Sequence, residues 1–270
     1  MAFETIVADN GVTWRRSSLL HAAGIPHGFS TRMGGASPAP FDSLNLGLAD
    51  APGEPDTWGR VQENWRRFMQ AVGLSDRSLI RLRQVHGVGI RHADRDAGVR
   101  RAEPPFADGD ALMSADRTHA LSVRVADCAP VLLADPGAGL VAAVHAGWRG
   151  VVQGIVPATI QGMEQRGASA QRIVMAIGAC IGDTALQVGP EVAAAMREAD
   201  LAAVVLPDPR DAAKSLVNLR SAIALQALRV GVLHERIDVD PSCTVRDATH
   251  FSYRRDGARS GRMSCVIGLS

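Results

Sequence analysis

Three residues with metal-binding or nucleophilic side chains, His86, Cys128 and His145, each lie at the end of a run of apolar, strand-forming residues. Small or turn-forming residues come directly after each of them, which leaves room for other atoms to approach closely. Because α/β proteins place their ligands at strand ends, we expect these three side chains to meet at one site.

Two kinds of chemistry suit this set of side chains. Zn²⁺ accepts thiolate and imidazole ligands, and catalytic zinc commonly has three protein ligands and one open position. Alternatively, Cys128 acts as a nucleophile with His145 or His86 as its base, as in acyl-transfer enzymes. The spacing of the residues leaves both interpretations open.

Two charged residues lie directly beside these positions. Asp127 precedes Cys128 and is a candidate proton shuttle, or a partner that orients a metal-bound histidine. Arg149 lies in a Gly-Trp-Arg-Gly turn that leads into a predicted helix, a position that suits contact with an oxyanion or a phosphate.

The elements that must position these residues alternate between strands and helices. Apolar runs predict strands, and a 3.6-residue period predicts helices. A loop rich in Gly, Pro and Ser is predicted over 32–55. The strands are predicted at 79–85, 120–125, 131–134, 140–144, 173–177, 237–239 and 263–267, and the helices at 56–71, 152–165, 192–199 and 215–230. No segment is typical of an interdomain linker, so the pattern predicts one α+β domain over residues 1–270.

The composition excludes several classes of protein. Of the 270 residues, 46% are apolar, enough for a folded core, and the formal net charge of +1 argues against a binder of nucleic acids or membrane surfaces. Lys214 is the sole lysine and no Gly-Lys pair occurs, so a phosphate-binding P-loop is excluded. No apolar run is long enough to span a membrane. The four widely spaced cysteines and the acidic N-terminus, which lacks a signal peptide, predict a cytoplasmic protein.

Longer motifs around these residues resemble a known family. The runs Arg-Gln-Val-His86-Gly, Val-Ala-Asp-Cys128-Ala-Pro-Val-Leu-Leu and His145-Ala-Gly-Trp-Arg-Gly are similar to the YfiH-like family. Its members have been called laccase-domain or polyphenol oxidoreductase proteins, and more recently purine nucleoside phosphorylases. The resemblance runs from about residue 25 to the C-terminus, so residues 1–24 lie outside it.

The resemblance implies a fold, a cofactor and an activity. The fold is a single four-layer α/β/β/α domain, similar to the catalytic domain of cytotoxic necrotizing factors. The cofactor is Zn²⁺, held by the residues that match the family at His86, Cys128 and His145. The activity is phosphorolysis of purine nucleosides (inosine, adenosine, guanosine and methylthioadenosine), together with adenosine deamination. Gln187 stands where the family usually has a glutamate.

The leading hypothesis is therefore a zinc-dependent purine nucleoside phosphorylase whose partners are purine nucleosides and phosphate. In it Arg149, with Arg32, holds phosphate, Asn45 contacts the nucleoside, and Asp127 is catalytic. One alternative is a metal-free hydrolase with Cys128 as nucleophile. Another is a copper-dependent polyphenol oxidoreductase, although eight singly scattered histidines do not supply the clusters that copper oxidases of the usual kind need.

Overall fold

The computed structural model describes residues 3–47, 56–99 and 106–270. In these ranges the helices are α1 Ser18–Ala22, α2 Trp58–Ala71, α3 Trp148–Val152, α4 Ile155–Glu164, α5 Pro190–Glu198, α6 Leu219–Arg229 and α7 Tyr253–Asp256. The strands are β1 Glu4–Val7, β2 Thr13–Arg16, β3 His27–Ser30, β4 Ser78–Ile80, β5 Ile90–His92, β6 Ala111–Ser114, β7 His119–Val125, β8 Ala129–Asp135, β9 Leu140–Ala146, β10 Val174–Ile177, β11 Gln187–Val188, β12 Val205–Pro207, β13 Ser215–Val217, β14 Ile237–Val239 and β15 Met263–Gly268.

Most strands belong to two six-stranded sheets. Sheet I has the order β1-β2-β3-β15-β7-β4, and sheet II has the order β14-β10-β8-β9-β6-β5. Neighbouring strands are mainly antiparallel, with parallel pairs at β4–β7, β10–β14 and β5–β6. A small third sheet has the order β11-β13-β12. The chain passes directly from sheet I to sheet II between β7 and β8, and again between β4 and β5.

The two sheets pack face to face and helices cover their outer faces. Because side chains alternate along a strand, Leu132 and Ala134 of β8 pack with residues of sheet I, whereas Val131 and Leu133 pack with residues of α4 and α6. The opposite face of sheet I packs against α2. This gives four layers in the order α/β/β/α, and the predicted α+β fold class is confirmed.

The helix predicted at 56–71 is confirmed as α2. The Thr57 side chain caps its first turn by accepting a hydrogen bond from the Arg60 amide. Val61, Trp65 and Phe68 recur at helical spacing and are buried against sheet I.

Two predicted helices are shorter than their apolar patterns suggest. The segment 152–165 is broken at Gly154, whose left-handed φ of 79° separates α3 from α4. The segment 215–230 begins as strand β13, and α6 starts only after Asn218, whose side chain accepts a hydrogen bond from the Ser221 amide. Apolar residues at its start fit either a strand or a buried helix, so periodicity alone did not separate the two.

The remaining differences lie near the candidate site. The strand predicted at 79–85 ends at Ile80, after which the chain leaves sheet I and carries His86 outward. In the predicted loop 32–55, residues 32–47 have no helix or strand, and residues 48–55 lie outside the described ranges. Within the parts of the chain described above, no helix combines the length and apolar character needed to cross a membrane.

Candidate active site

The structure brings His86, Cys128 and His145 together. Their ligand atoms all lie within 4.8 Å of one another, and in the described ranges they form the only such group of three or more His, Cys or acidic side chains. The two imidazole rings are nearly perpendicular, at 82°, with centroids 4.8 Å apart. His145 is buried, Cys128 is half-buried and His86 is exposed, so the group is anchored at its base and open on one side.

Strand pairing explains how Cys128 reaches His145. Pro130 of β8 lies opposite His145 of β9, and Cys128 comes just before the start of β8. Asp127 adopts a left-handed φ of 85° in the tight passage from sheet I to sheet II, and His86 has a φ of 59°. Such a conformation costs a residue with a side chain on the order of 1–3 kcal/mol and is concentrated at functional sites.

One buried carboxylate, that of Asp110, holds the two histidines in place. Its oxygens accept hydrogen bonds from His145 Nδ1 at 2.8 Å and from the backbone amides of His86 at 3.0 Å and Gly87 at 2.8 Å. The Val85 amide is 3.3 Å away. Asp110 therefore fixes the His145 ring through Nδ1, which leaves Nε2 for the cluster, and shapes the loop that carries His86.

The electrostatics of the cluster favour a thiolate. Burial alone raises the pKa of the Cys128 thiol, but the His145 and His86 imidazoles lower it to about 6. Burial lowers the pKa of His145, but Cys128 and Asp110 raise it to about 9. For Asp110, burial raises the pKa, yet hydrogen bonds from His145 and Gly87 hold it below its usual value. Without a metal, the group is a thiolate beside an imidazolium.

Gly147 provides the space beside the cluster. A Cβ atom at this position would lie 3.0 Å from Cys128 Sγ and 3.3 Å from His86 Cδ2. The backbone φ of −78° is one that any residue adopts, so the glycine is needed for close approach and not for its conformation.

The cluster forms part of the wall of a cavity of about 840 Å³. Ligand pockets commonly measure about 300–1,000 Å³, so a nucleoside-sized molecule and an anion fit together. Aromatic side chains line it at Phe106, Trp148 and Tyr253, and Asp127 is the sole acidic residue among the described lining residues. Five arginines also line it: Arg83, Arg124, Arg149, Arg254 and Arg262. A positive wall of this kind attracts anions.

Five of the seven predicted site residues line this cavity: His86, Cys128, His145, Asp127 and Arg149. Asn45 does not. It is buried, its amide nitrogen donates to Asp56 at 2.9 Å, and its oxygen accepts from the backbone of Arg262 at 2.8 Å and Gly47 at 3.2 Å. Asn45 therefore anchors the chain at Arg262, and its contact with a nucleoside stays a prediction.

Arg32 also lies away from the lining residues. Its guanidinium donates to the Asp42 carbonyl at 2.6 Å and to the Asp42 carboxylate at 2.9 Å, and it stacks 4.6 Å from the centre of the Phe251 ring. The structure therefore commits Arg32 to local contacts, and its role in phosphate binding stays a prediction.

Two residues that hold the site together, Asp110 and Gln84, have no distinctive signal in the sequence. Asp110 precedes an apolar strand, which is a usable signal, but Asp108 two residues earlier is an equal candidate on that basis. Gln84 exchanges two hydrogen bonds with the backbone of Arg124, at 2.7 and 2.8 Å, and so ties the His86 loop to the end of β7. No local pattern reveals that pairing, because the partners are forty residues apart.

Comparison with known proteins adds a family match and curated relatives. Residues 26–270 match the family model described as multi-copper polyphenol oxidoreductase laccase. A protein of Deinococcus radiodurans named purine nucleoside phosphorylase is 39% identical over 245 residues, which cover 91% of this chain and 89% of that protein.

Solved structures are similar over nearly the whole chain. YlmD from Geobacillus stearothermophilus superposes with a TM-score of 0.82 and 30% identity, covering 95% of this chain and 96% of that one. YfiH from Bacillus licheniformis gives a TM-score of 0.85 and 25% identity, covering 98% and 99%. The arrangement of the two sheets and their helices is thus shared with both.

We expect Asp110→Asn to weaken metal binding about 10- to 100-fold, because an amide offers one acceptor where four N–H groups converge. Affinity would be measured by competition between the protein and a chelator for Zn²⁺. The matched control is Asp108→Asn, which loses only a partly exposed ion pair with Arg83 and should stay close to wild type. Wild-type affinity in Asp110→Asn would contradict the role assigned to this carboxylate.

Alkylation of the metal-free protein should depend on pH in a residue-specific way. The thiolate is the reactive form, and its fraction rises as the pH passes through the pKa. Cys128 should therefore reach half of its maximal reactivity with iodoacetamide near pH 6. Cys180 and Cys265, whose pKa values burial raises to about 12, should stay unmodified at pH 8. Peptide mapping by mass spectrometry gives the rates, and a midpoint for Cys128 near pH 8.5 would refute the thiolate–imidazolium pair.

Proposed function

Because this chain belongs to the family described as multi-copper polyphenol oxidoreductase laccase, whose matched relatives are named purine nucleoside phosphorylases, we propose that it is a zinc-dependent purine nucleoside phosphorylase. The observation that carries the proposal is a His-Cys-His group in the wall of an arginine-rich cavity. The substrates are purine nucleosides and inorganic phosphate, and the products are the free base and a sugar 1-phosphate.

The donor set supports zinc more than copper. Two imidazoles, one thiolate and an open side match the ligand pattern of catalytic zinc sites. A His₂Cys set also occurs in copper electron-transfer sites, where a weak axial methionine commonly adds a fourth contact. No methionine lines the described part of this cavity. Bound by His86, Cys128 and His145, zinc would supply a Lewis acid that stabilises developing negative charge and activates water.

Arg149 is the proposed phosphate contact. Its guanidinium stacks 4.6 Å from the Trp148 ring and, among the described residues, makes no hydrogen bond or ion pair. By contrast, Arg83 is already paired with Asp108. An unpaired guanidinium keeps its whole set of donors for a bidentate, charge-assisted pair with phosphate. Stacking on Trp148 limits its motion, so less side-chain entropy is lost when phosphate binds.

The rest of the cavity suits a nucleoside. Phe106, Trp148 and Tyr253 line the cavity, and a purine can pack against the aromatic surface that the guanidinium groups stacked on these rings leave uncovered. In phosphorolysis a phosphate oxygen attacks C1′ of the ribose and forms the C–O bond, while the C–N bond to the base breaks and its electron pair leaves with the purine. The arginines hold the attacking anion in position, and positioning of two reactants is a large part of such catalysis.

Adenosine deamination is a second proposed activity of the same site. It replaces the amino group at C6 with oxygen from water and releases ammonia. The observation that favours it is the donor set, since nucleobase deaminases also hold zinc by histidine and cysteine. Phosphate takes no part in this reaction, so the two activities can be separated by the phosphate contact.

A metal-free hydrolase is the competing proposal. The line Cys128–His145–Asp110 resembles the nucleophile, base and orienting acid of cysteine hydrolases, and the lowered pKa of Cys128 fits a nucleophile. The position of His86 favours the metal site over the hydrolase. A second imidazole beside the same thiolate has no role in a catalytic triad, but it completes a set of three metal ligands.

The test is release of hypoxanthine from inosine by the purified protein with and without phosphate. We expect release only with phosphate, and we expect loss of activity after chelation and in Cys128→Ser, which removes the soft ligand. Cys243→Ser is the control, since Cys243 lies outside the cluster. Equal release without phosphate would indicate a hydrolase, and full activity after chelation would favour Cys128 as nucleophile. Phenol oxidation as fast as nucleoside turnover would instead favour the oxidoreductase.

Substitution of Arg149 should separate the two activities. Loss of a charge-assisted hydrogen bond costs about 1.5–3 kcal/mol, so Arg149→Ala should lower phosphorolysis roughly tenfold to a hundredfold and raise the KM for phosphate. Arg149→Lys should recover only part of the loss, because lysine lacks the planar fork. Adenosine deamination and zinc content should be unchanged in both variants. If both activities fall in parallel while the zinc content is unchanged, Arg149 is not the phosphate contact.

A further inference from the structure

Asp127 connects three separate parts of the chain beside the metal cluster. Its backbone carbonyl accepts a hydrogen bond from the Ile181 amide at 2.9 Å. Its carboxylate accepts one from the Thr244 hydroxyl and one from the Arg254 amide, both at 2.6 Å. Each carboxylate oxygen thus has its own short bond to a donor within the protein.

The bond to the Arg254 amide fixes the start of α7. Two side chains satisfy the free amides of this single helical turn: Asp127 binds the amide of Arg254, and Ser252 binds the amide of Arg255 at 3.2 Å. A carboxylate is a favoured partner for the amides that begin a helix, because they are unpaired and carry partial positive charge. The Thr244 hydroxyl holds the other oxygen and so sets the direction of the carboxylate.

The turn held in this way presents side chains to the cavity. Tyr253 and Arg254 both line it. The Arg254 guanidinium donates to the carbonyls of Gln187 at 3.2 Å and Ala185 at 3.4 Å through one nitrogen, which leaves other N–H groups for an anion. The guanidinium carbon of Arg262 lies 5.9 Å from the centre of the Tyr253 ring. The position of α7 therefore determines where Arg254, one of the arginines of the cavity wall, is placed.

We propose that Asp127 is a positioning residue, which holds α7 against the cavity so that Arg254 meets the substrate anion, and that it does not transfer a proton. The neighbour of Asp127 along the chain is Cys128, so one residue joins the metal cluster to the wall that binds the anion. The identity of the anion as phosphate rests on the proposed phosphorolysis, whereas the anchoring of α7 does not.

Two variants test the anchor from opposite sides. Asp127→Asn keeps the shape of the side chain but places an NH₂ group against either the Thr244 hydroxyl or the Arg254 amide. Thr244→Val leaves Asp127 intact and removes the hydroxyl that aligns its carboxylate. Loss of a hydrogen bond to a charged group corresponds to a factor of about ten or more. We therefore expect the KM for phosphate to rise about tenfold in both, with kcat within about threefold of wild type and zinc content unchanged. Thr244→Ser should restore wild-type behaviour.

Proteolysis reports the position of α7 without any substrate. Trypsin cleaves after Arg254 and Arg255, and we expect this cleavage to be several-fold faster in Asp127→Asn and Thr244→Val. The control is Asp183→Asn, an exposed acid whose side chain, within the described ranges, bonds the adjacent Thr184 amide alone, and it should match wild type. Arg254→Ala keeps the backbone amide, so it should raise the KM for phosphate without increasing cleavage after Arg255.

The outcomes separate the positioning role from proton transfer. A hundredfold fall in kcat in Asp127→Asn, with the KM and the cleavage rate at wild-type values, would assign proton transfer and overturn the proposal. Wild-type values of all three quantities would overturn it as well. If the wild-type protein releases no base from inosine, the proposed function fails, and the cleavage rates still decide whether Asp127 and Thr244 anchor α7.

Discussion

The hydrogen bonds of the Asp110 carboxylate are the interaction on which the site depends. A buried carboxylate is strongly destabilising unless donors surround it, and this one receives N–H groups from the His86 loop and from the His145 ring. These hydrogen bonds fix the loop that carries His86 and the orientation of the His145 ring. They also leave Nε2 of His145 to face the cluster. The same negative charge favours the imidazolium of His145, which in turn stabilises the Cys128 thiolate.

The site lies where the chain crosses between the two sheets. His86 is on the connection from β4 to β5, and Asp127 and Cys128 are on the three-residue connection from β7 to β8. Each crossing contains one residue with a left-handed backbone, His86 in the first and Asp127 in the second. The packed sheets on either side keep these conformations in place. A pair of rigid sheets thus holds soft ligands and arginine side chains around one cavity, as a site for charged substrates requires.

The sequence alone predicted the parts of this arrangement that depend on local pattern. The apolar runs located β7, β8 and β9, and the polar residues at their ends identified Cys128 and His145. Asp110 was missed because its role arises from contacts with distant segments. The role of Gln187 was also hidden: its amide donates to Asp208 at 2.7 Å, and its side chain is not among the cavity-lining groups. A glutamate at this position would place a second carboxylate against Asp208, so the amide of Gln187 is matched to its neighbour.

The proposed function requires that His86, Cys128 and His145 together hold one zinc ion at the wall of the cavity. Anomalous diffraction from crystals of the purified protein, collected on both sides of the zinc absorption edge, tests this most directly. We expect one strong peak per chain, bonded to all three side chains, that falls sharply below the edge. A peak bonded elsewhere, a signal only at the copper edge, or no metal in an active protein would contradict it.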